Sequence, residues 1–265
     1  MPVSSQNWIG LAIGNSRLHW GHFQNTTLLN TWDTPHLQNG IERSATWQNW
    51  QQSSPALAAC PDPFPELLIL SVVPTQTAQW LVYPGAVEIG LADIPLGQVY
   101  PTLGVDRAIA LWGAGTLYGW PLLLIDAGTA ITLTGADANG TLIGGAILPG
   151  LTLQARSLHE ATAALPWVDL PNSAPPRWTK DTETALQSGV VYGTVGGLFL
   201  SIQDWITEYS DSKVVLTGGD GTRLASYLQA IPQNILAESR VQSLIIDPPL
   251  ILKSIAAWKE KQRYS

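Results

Sequence analysis

Along the first third of the chain the apolar positions come in short bursts separated by turn-forming residues. "WIGLAIGNSRLHWGHF" (8–23) reads as an apolar strand, a Gly14-Asn15-Ser16 turn and a second strand. "TLLNTW" extends this into a meander, because Trp, Phe, His and Leu suit a pleated, half-buried surface. "ELLILSVV" (66–73), between Pro65 and Pro74, has the unbroken apolar character of a strand covered on both faces. The polar, Trp-dotted segment before it is expected to be helical in part. "TQTAQWLVY" reads as a short helix and "AVEIG" as a further strand.

From residue 104 the period changes. "GVDRAIALWGAGTLYG" spaces its apolar residues as a helix ending near Gly119. A second meander follows in "LLLIDAG", "AITLTGA" and "TLIGGAIL", the last two joined through an Asn139-Gly140 hairpin turn. Residues 170–180 are a Pro-rich loop. Residues 181–209 fit one long helix capped by Asp181 or Thr182. "KVVLTGGDG" is a strand and a glycine turn, and "PLILKSIAAWKEK" a terminal amphipathic helix.

The two meanders resemble each other. Setting Gly14 against Gly128 puts Ala12 opposite Asp126 and Asn15 opposite Thr129. This predicts an internal duplication: an α/β chain of two similar lobes, 1–118 and 119–265, each a mixed sheet with flanking helices. Both turns would then face one ligand in the cleft between them.

Composition narrows the function. With 265 residues, 45% hydrophobic and 12% charged, the chain can bury a substantial core. Acidic residues outnumber basic ones by 20 to 13, and no Lys/Arg block occurs, which argues against nucleic acid or an anionic membrane as partner. The single cysteine, Cys60, fits a reducing cytoplasm, and no His lies near it in sequence to make it a nucleophile. The first residues lack the basic and apolar regions of a signal peptide. The apolar run 189–202 is shorter than the roughly 20 residues of a bilayer span. Its glycines at 189, 193 and 197 suit close approach of another backbone, either within the lobe or from a second copy of the chain.

A glycine turn at a strand end presents unpaired N–H groups and admits a phosphate without a Cβ in the way. Asn15, Ser16 and Thr129 would add side-chain donors, and "LTGGDG" (216–221) is a third such turn. Three of them suit a polyphosphate nucleotide. Phosphoryl transfer also needs a metal to neutralise charge and a group to take the acceptor's proton. Asp106, in "LGVDRA" with Gly104 before it and Arg107 beside it, is the candidate base; its alternative role is a helix cap. Asp126 ends an apolar strand, where a carboxylate is expensive unless it meets a cation, so it is the candidate ion site. The four histidines show no metal-ligand grouping, and the twelve Trp residues are scattered along the chain, so no stacking platform is read.

At "PTLGVDRAIALWGA" and "IDAGTAITLTGADANGTLIGGAILPGL", then at "KDTETALQSGVVYG" and "VVLTGGDG", the sequence resembles the type III pantothenate kinases. The resemblance implies two ribonuclease-H-like, actin-like lobes, with ATP in the interlobe cleft and a homodimer in solution. It implies transfer of the γ-phosphoryl of ATP to the primary hydroxyl of pantothenate, with Mg²⁺ and a monovalent cation, K⁺ or NH₄⁺. Asp106 would accept the proton, and Tyr100, Gly104, Val105, Arg107 and Thr182 would hold pantothenate. Ala12, Ile13, Gly14, Asn15, Ser16, Arg17 and Thr129 would hold ATP, and Asp126 the monovalent cation. Two positions depart from the family pattern: Ala12 and Thr134 stand where it has Asp. That departure keeps open a nucleotide-binding regulatory relative with little activity, beside a kinase for another small hydroxylated acceptor.

Overall fold

The computed structural model describes residues 6–38, 40, 47–53, 63–230 and 244–263. Cys60 and the first five residues, on which the thiol and signal-peptide readings partly rest, lie outside them. The chain divides into two compact units, 1–116 with 249–265, and 117–248.

In the first unit, β1 (Asn7–Ile13), β2 (Leu18–Gln24) and β3 (Thr27–Thr34) form the expected antiparallel meander. β4 (Glu66–Ser71) joins β1 in parallel and β5 (Ala86–Glu88) joins β4 in parallel, so the sheet runs β3-β2-β1-β4-β5. The parallel crossovers carry the short helices α1 (Trp47–Ser53) and α2 (Pro74–Trp80). One sheet face is lined by Ile9, Leu11, Ile13, Trp20, Leu67 and Ile69, which pack against Trp50, Trp80 and Tyr83. Four tryptophans, Trp8, Trp20, Trp50 and Trp80, are wholly buried and form part of the core. α3 (Val105–Tyr118) leads out of this unit.

In the second unit, β6 (Leu122–Ala127), β7 (Ala130–Ala136) and β8 (Leu142–Pro149) are again an antiparallel meander. β9 (Lys213–Thr217) and β10 (Leu244–Ile246) extend it in parallel, in the order β10-β9-β6-β7-β8. Read from the meander's outer strand, the two sheets have one connectivity, β3-β2-β1-β4-β5 against β8-β7-β6-β9-β10. The duplication expected from the turns therefore extends to whole sheets. α4 (Leu151–Glu160), α5 (Thr182–Glu208) and α6 (Gly221–Gln229) cover the face carrying Leu123, Ile125, Ile131 and Leu133.

α5 forms as one helix of 27 residues, and Asp181 is its cap, accepting from the Thr184 N–H at 2.8 Å. Among the described residues it is the one helix long and apolar enough to cross a membrane, longer than the run 189–202 suggested. Its Val191, Val195, Leu198, Ile202 and Ile206 are buried in the core of the second unit.

The terminal helix α7 (Leu250–Gln262) belongs with the first unit, whereas a division at residue 118 keeps it with the second. It is tied there by Trp258, whose indole N–H donates to the Asp93 carbonyl at 2.9 Å, and by a Lys259–Glu66 ion pair. An amphipathic pattern shows that a helix has one apolar face; it does not say which sheet that face covers.

Candidate active site

The Asp106 carboxylate sits in the first turn of α3. Its Oδ1 accepts from the Arg107 backbone N–H at 2.8 Å. A Cβ on residue 104 would run into that same oxygen, so glycine there leaves the carboxylate its place. Burial pushes the Asp106 pKa above the ordinary carboxylate value, against the opposing pull of the Arg107 N–H and guanidinium. This is a carboxylate whose charged form is poorly solvated, hence more basic than one in water. Arg107 also donates to the Tyr100 hydroxyl at 3.3 Å, so Tyr100, Gly104, Val105, Asp106 and Arg107 form one local group.

Still in the first unit, the turn after β1 is closed by the Gly14 N–H donating to the Arg17 carbonyl at 3.1 Å. Ala12 and Ile13 are buried strand residues, and Asn15, Ser16 and Arg17 are exposed at the tip. His36 donates through Nε2 to the Gly14 carbonyl at 2.8 Å. His19 and Arg17 both reach the Asp33 carboxylate, at 2.8 and 3.3 Å. No sequence signal isolates His19 and His36, because their partners lie 14 and 22 residues away across the meander.

In the second unit three glycine segments converge. β6 pairs with β9 so that Asp126 stands beside Thr217, which brings the Gly128-Thr129 turn to the Gly218–Gly221 turn. The Asp220 N–H donates to the Ala127 carbonyl at 2.9 Å, and the Gly150 N–H to the Thr129 carbonyl at 2.9 Å. Gly218 adopts φ +88°, and a Cβ there would strike the Asp126 carboxylate and the Ala127 carbonyl. Gly150 is the cap residue of α4, placing a helix N-terminus beside the same turn. Gly218 belongs to the turn 216–221 already expected at the nucleotide, and Gly150, to which no role was assigned from sequence alone, joins the candidate site through this geometry. Asp126 is half-buried, Thr129 is exposed, and Thr182 is exposed in the first turn of α5. Thr134 is buried in mid-strand opposite Leu124 and Gly145. It shares the sheet face of Asp126, because Thr132, two residues earlier on β7, is the partner of Asp126.

Among the described residues no three His, Cys, Asp or Glu side chains group as a metal cage.

Comparison with known proteins agrees with the motifs. The family model described as type III pantothenate kinase matches residues 9–202. A type III pantothenate kinase of a Nostoc species is 43% identical over 261 residues, covering 92% of this chain and 91% of that protein. That of Synechococcus elongatus is 42% identical, covering 92% and 93%. Among solved structures, a chain from Campylobacter jejuni described as a Baf family transcriptional activator aligns with a TM-score of 0.61 at 20% identity, over 97% of this chain and all of that one. An ethanolamine utilization protein from Carboxydothermus hydrogenoformans aligns at 0.52 and 13% identity, over 97% and 92%. At these identities the structural likeness concerns the fold.

Proposed function

The chain belongs to the type III pantothenate kinases and phosphorylates pantothenate in coenzyme A biosynthesis, and on that premise we propose that Asp106 is the base that takes the proton from the pantothenate hydroxyl. The observation that carries this reading is the half-buried Asp106 carboxylate, raised in basicity by desolvation and given its space by Gly104. As the hydroxyl oxygen attacks the γ-phosphorus of ATP, its proton passes to Asp106 and ADP leaves. Arg107, Tyr100, Val105 and Thr182 hold the acceptor, with Arg107 suited to the pantothenate carboxylate.

The turn 12–17 and Thr129 bind ATP. Backbone N–H groups at glycine turns supply fixed donors to phosphate oxygens, and the α4 N-terminus after Gly150 adds a favourable dipole end. Mg²⁺, bound with the nucleotide, neutralises charge on the phosphates. Asp126 holds the monovalent cation, K⁺ or NH₄⁺, against the Gly218 turn.

The chain works as a cytoplasmic homodimer, without nucleic-acid or membrane partners. Support for the dimer comes from α5. A Cβ added at Gly189, Gly193, Gly196 or Gly197 meets open space, and Leu200 on the same stripe is 66% exposed. The glycines therefore do not serve packing within their own unit, and a second copy's backbone can approach them.

A coupled assay of ADP release tests the proposal. Release should require pantothenate, rise with K⁺ or NH₄⁺, and disappear in Asp106→Asn. Undiminished turnover in that variant would remove Asp106 from the mechanism.

A further inference from the structure

Asp247 follows the last residue of β10 and is 3% exposed. A buried carboxylate is costly unless it is hydrogen-bonded, and neither the proton transfer nor the ligand contacts of the kinase use this one. Tyr118, the last residue of α3, donates its hydroxyl hydrogen to Asp247 Oδ2 at 2.6 Å. The backbone of Asp247 is held to β9 at both its polar groups. Its N–H donates to the Leu216 carbonyl at 2.9 Å, and its carbonyl accepts from the Thr217 hydroxyl at 2.7 Å. The β9–β10 ladder ends at the Leu216–Ile246 pair, and Pro248 and Pro249 have no N–H with which to continue it. The buried Thr217 hydroxyl takes over where the ladder stops, reaching the Pro248 carbonyl as well at 3.3 Å. Tyr118, Thr217 and Asp247 all lie in the second unit.

Thr217 is also the residue at which β9 gives way to its glycine turn. Beyond it Gly218 turns at φ +88° against Asp126, and the Asp220 N–H is fastened to the Ala127 carbonyl at 2.9 Å. The turn is thus pinned at its exit by β6 and at its entrance by Asp247. We propose that Asp247, fixed by Tyr118, is a positioning residue for nucleotide binding: through the Thr217 hydroxyl it holds the entrance of the turn 216–221 in the shape that receives the nucleotide. The inference rests on the reading of that turn as facing the nucleotide, and adds what keeps it in place. A turn held in advance spares the nucleotide the cost of ordering it. Loosened at one end, the turn spends only a fraction of its time in the receiving shape, and the apparent affinity falls by that fraction.

The test is ADP binding to the full chain by calorimetry, without pantothenate and at a temperature below every variant's melt, alongside the KM for pantothenate. Thr217→Val keeps the shape and removes the hydroxyl; it should weaken ADP binding about 3- to 10-fold, the range for one neutral hydrogen bond. Thr217→Ser keeps the hydroxyl and should bind ADP within about twofold of the wild type by the same reasoning. Tyr118→Phe, which releases the Asp247 side chain, should weaken ADP binding about threefold or more. The KM for pantothenate should be unchanged in all three. Trp258→Phe removes a hydrogen bond to Asp93 in the first unit and should leave ADP affinity unchanged. If Thr217→Val does not fold, judged by its circular dichroism melt, Tyr118→Phe takes its place with the same direction expected.

Unchanged ADP affinity in either Thr217→Val or Tyr118→Phe overturns the inference. A loss in Thr217→Ser as large as in Thr217→Val overturns it too, as does an equal loss in Trp258→Phe, which would mark a general effect of lowered stability. A Cβ at Gly219 meets no atom within 4 Å, so Gly219→Leu projects into open space at the turn. Weakened ADP binding in that variant keeps the reading of the turn standing even when the role of Asp247 fails. If Gly219→Leu also binds ADP as the wild type does, that reading falls with the inference.

Discussion

The Asp106 carboxylate occupies the space that a side chain on residue 104 would need. A glycine two residues before Asp106 thus has a steric reason to be there. Gly104→Ala forces the carboxylate to rotate or the helix start to move. The expected result is a fall in kcat of about 10-fold or more, since small misplacements of a reacting group are costly. Retention of wild-type kcat in this variant would show that the carboxylate has a second usable position.

Asp106→Asn separates catalysis from folding. Loss of a general base lowers the rate by about 10²- to 10⁴-fold. Stability should move the other way. Burial raises the folded-state pKa of Asp106, so the folded protein keeps its proton to higher pH than the unfolded chain does. Stability therefore falls as pH rises from the ordinary carboxylate value through the raised one, and the deficit persists at neutral pH. The Asn variant lacks that deficit: its Tm at pH 7 should equal or exceed the wild-type value, with the advantage vanishing in acid. In the wild type, the acid limb of kcat/KM should lie above the usual carboxylate range.

Gly218→Ala brings a methyl group against Asp126 at a backbone angle that suits glycine. The left-handed conformation alone costs about 1–2 kcal/mol for an L-residue. A lower Tm is expected, together with weaker activation by K⁺ because the Asp126 carboxylate is displaced. A variant with unchanged Tm but lost K⁺ activation would still tie Gly218 to the cation site; unchanged values for both would not.

Tyr118 donates to the buried Asp247 carboxylate at 2.6 Å, and its pKa is pushed up to about 12, by burial first and by Asp247 second. The folded pKa lies above the unfolded one near 10, so the bond's contribution is complete below pH 10 and is lost as pH rises toward 12. Tyr118→Phe should lower stability by about 1 kcal/mol at neutral pH. The gap between variant and wild type should close across that alkaline window in denaturant titrations.

Gly193→Leu tests the dimer. The added side chain enters open space within its own unit, so the circular dichroism spectrum should be unchanged. Sedimentation should show the wild type as a dimer and the variant as a monomer. A wild type that sediments as a monomer would refute the assignment.

The strands, their order in each meander and the long helix were legible in the chain because each rests on short-range chemistry. Alternation and apolar runs set the strands, Asn139-Gly140 set a hairpin, and Asp181 or Thr182 set a helix start, the structure choosing Asp181 as the cap. Asp106 and Asp126 were legible as candidates because a carboxylate beside glycine in an apolar setting is costly, and therefore conspicuous. His19, Asp33 and His36 were not, since nothing local distinguishes a surface histidine from one aimed at a turn.

By itself the sequence determined the duplicated α/β plan, the kinase motifs and their family, all of which depend on residues close together along the chain. Only the tertiary structure decided that the terminal helix returns to the first unit, that Gly150 and Gly218 meet the Thr129 turn, and that His19 faces Gly14. Those relationships arise from strand pairing between distant segments. Pairing register, which local composition does not encode, sets which side chains share a face.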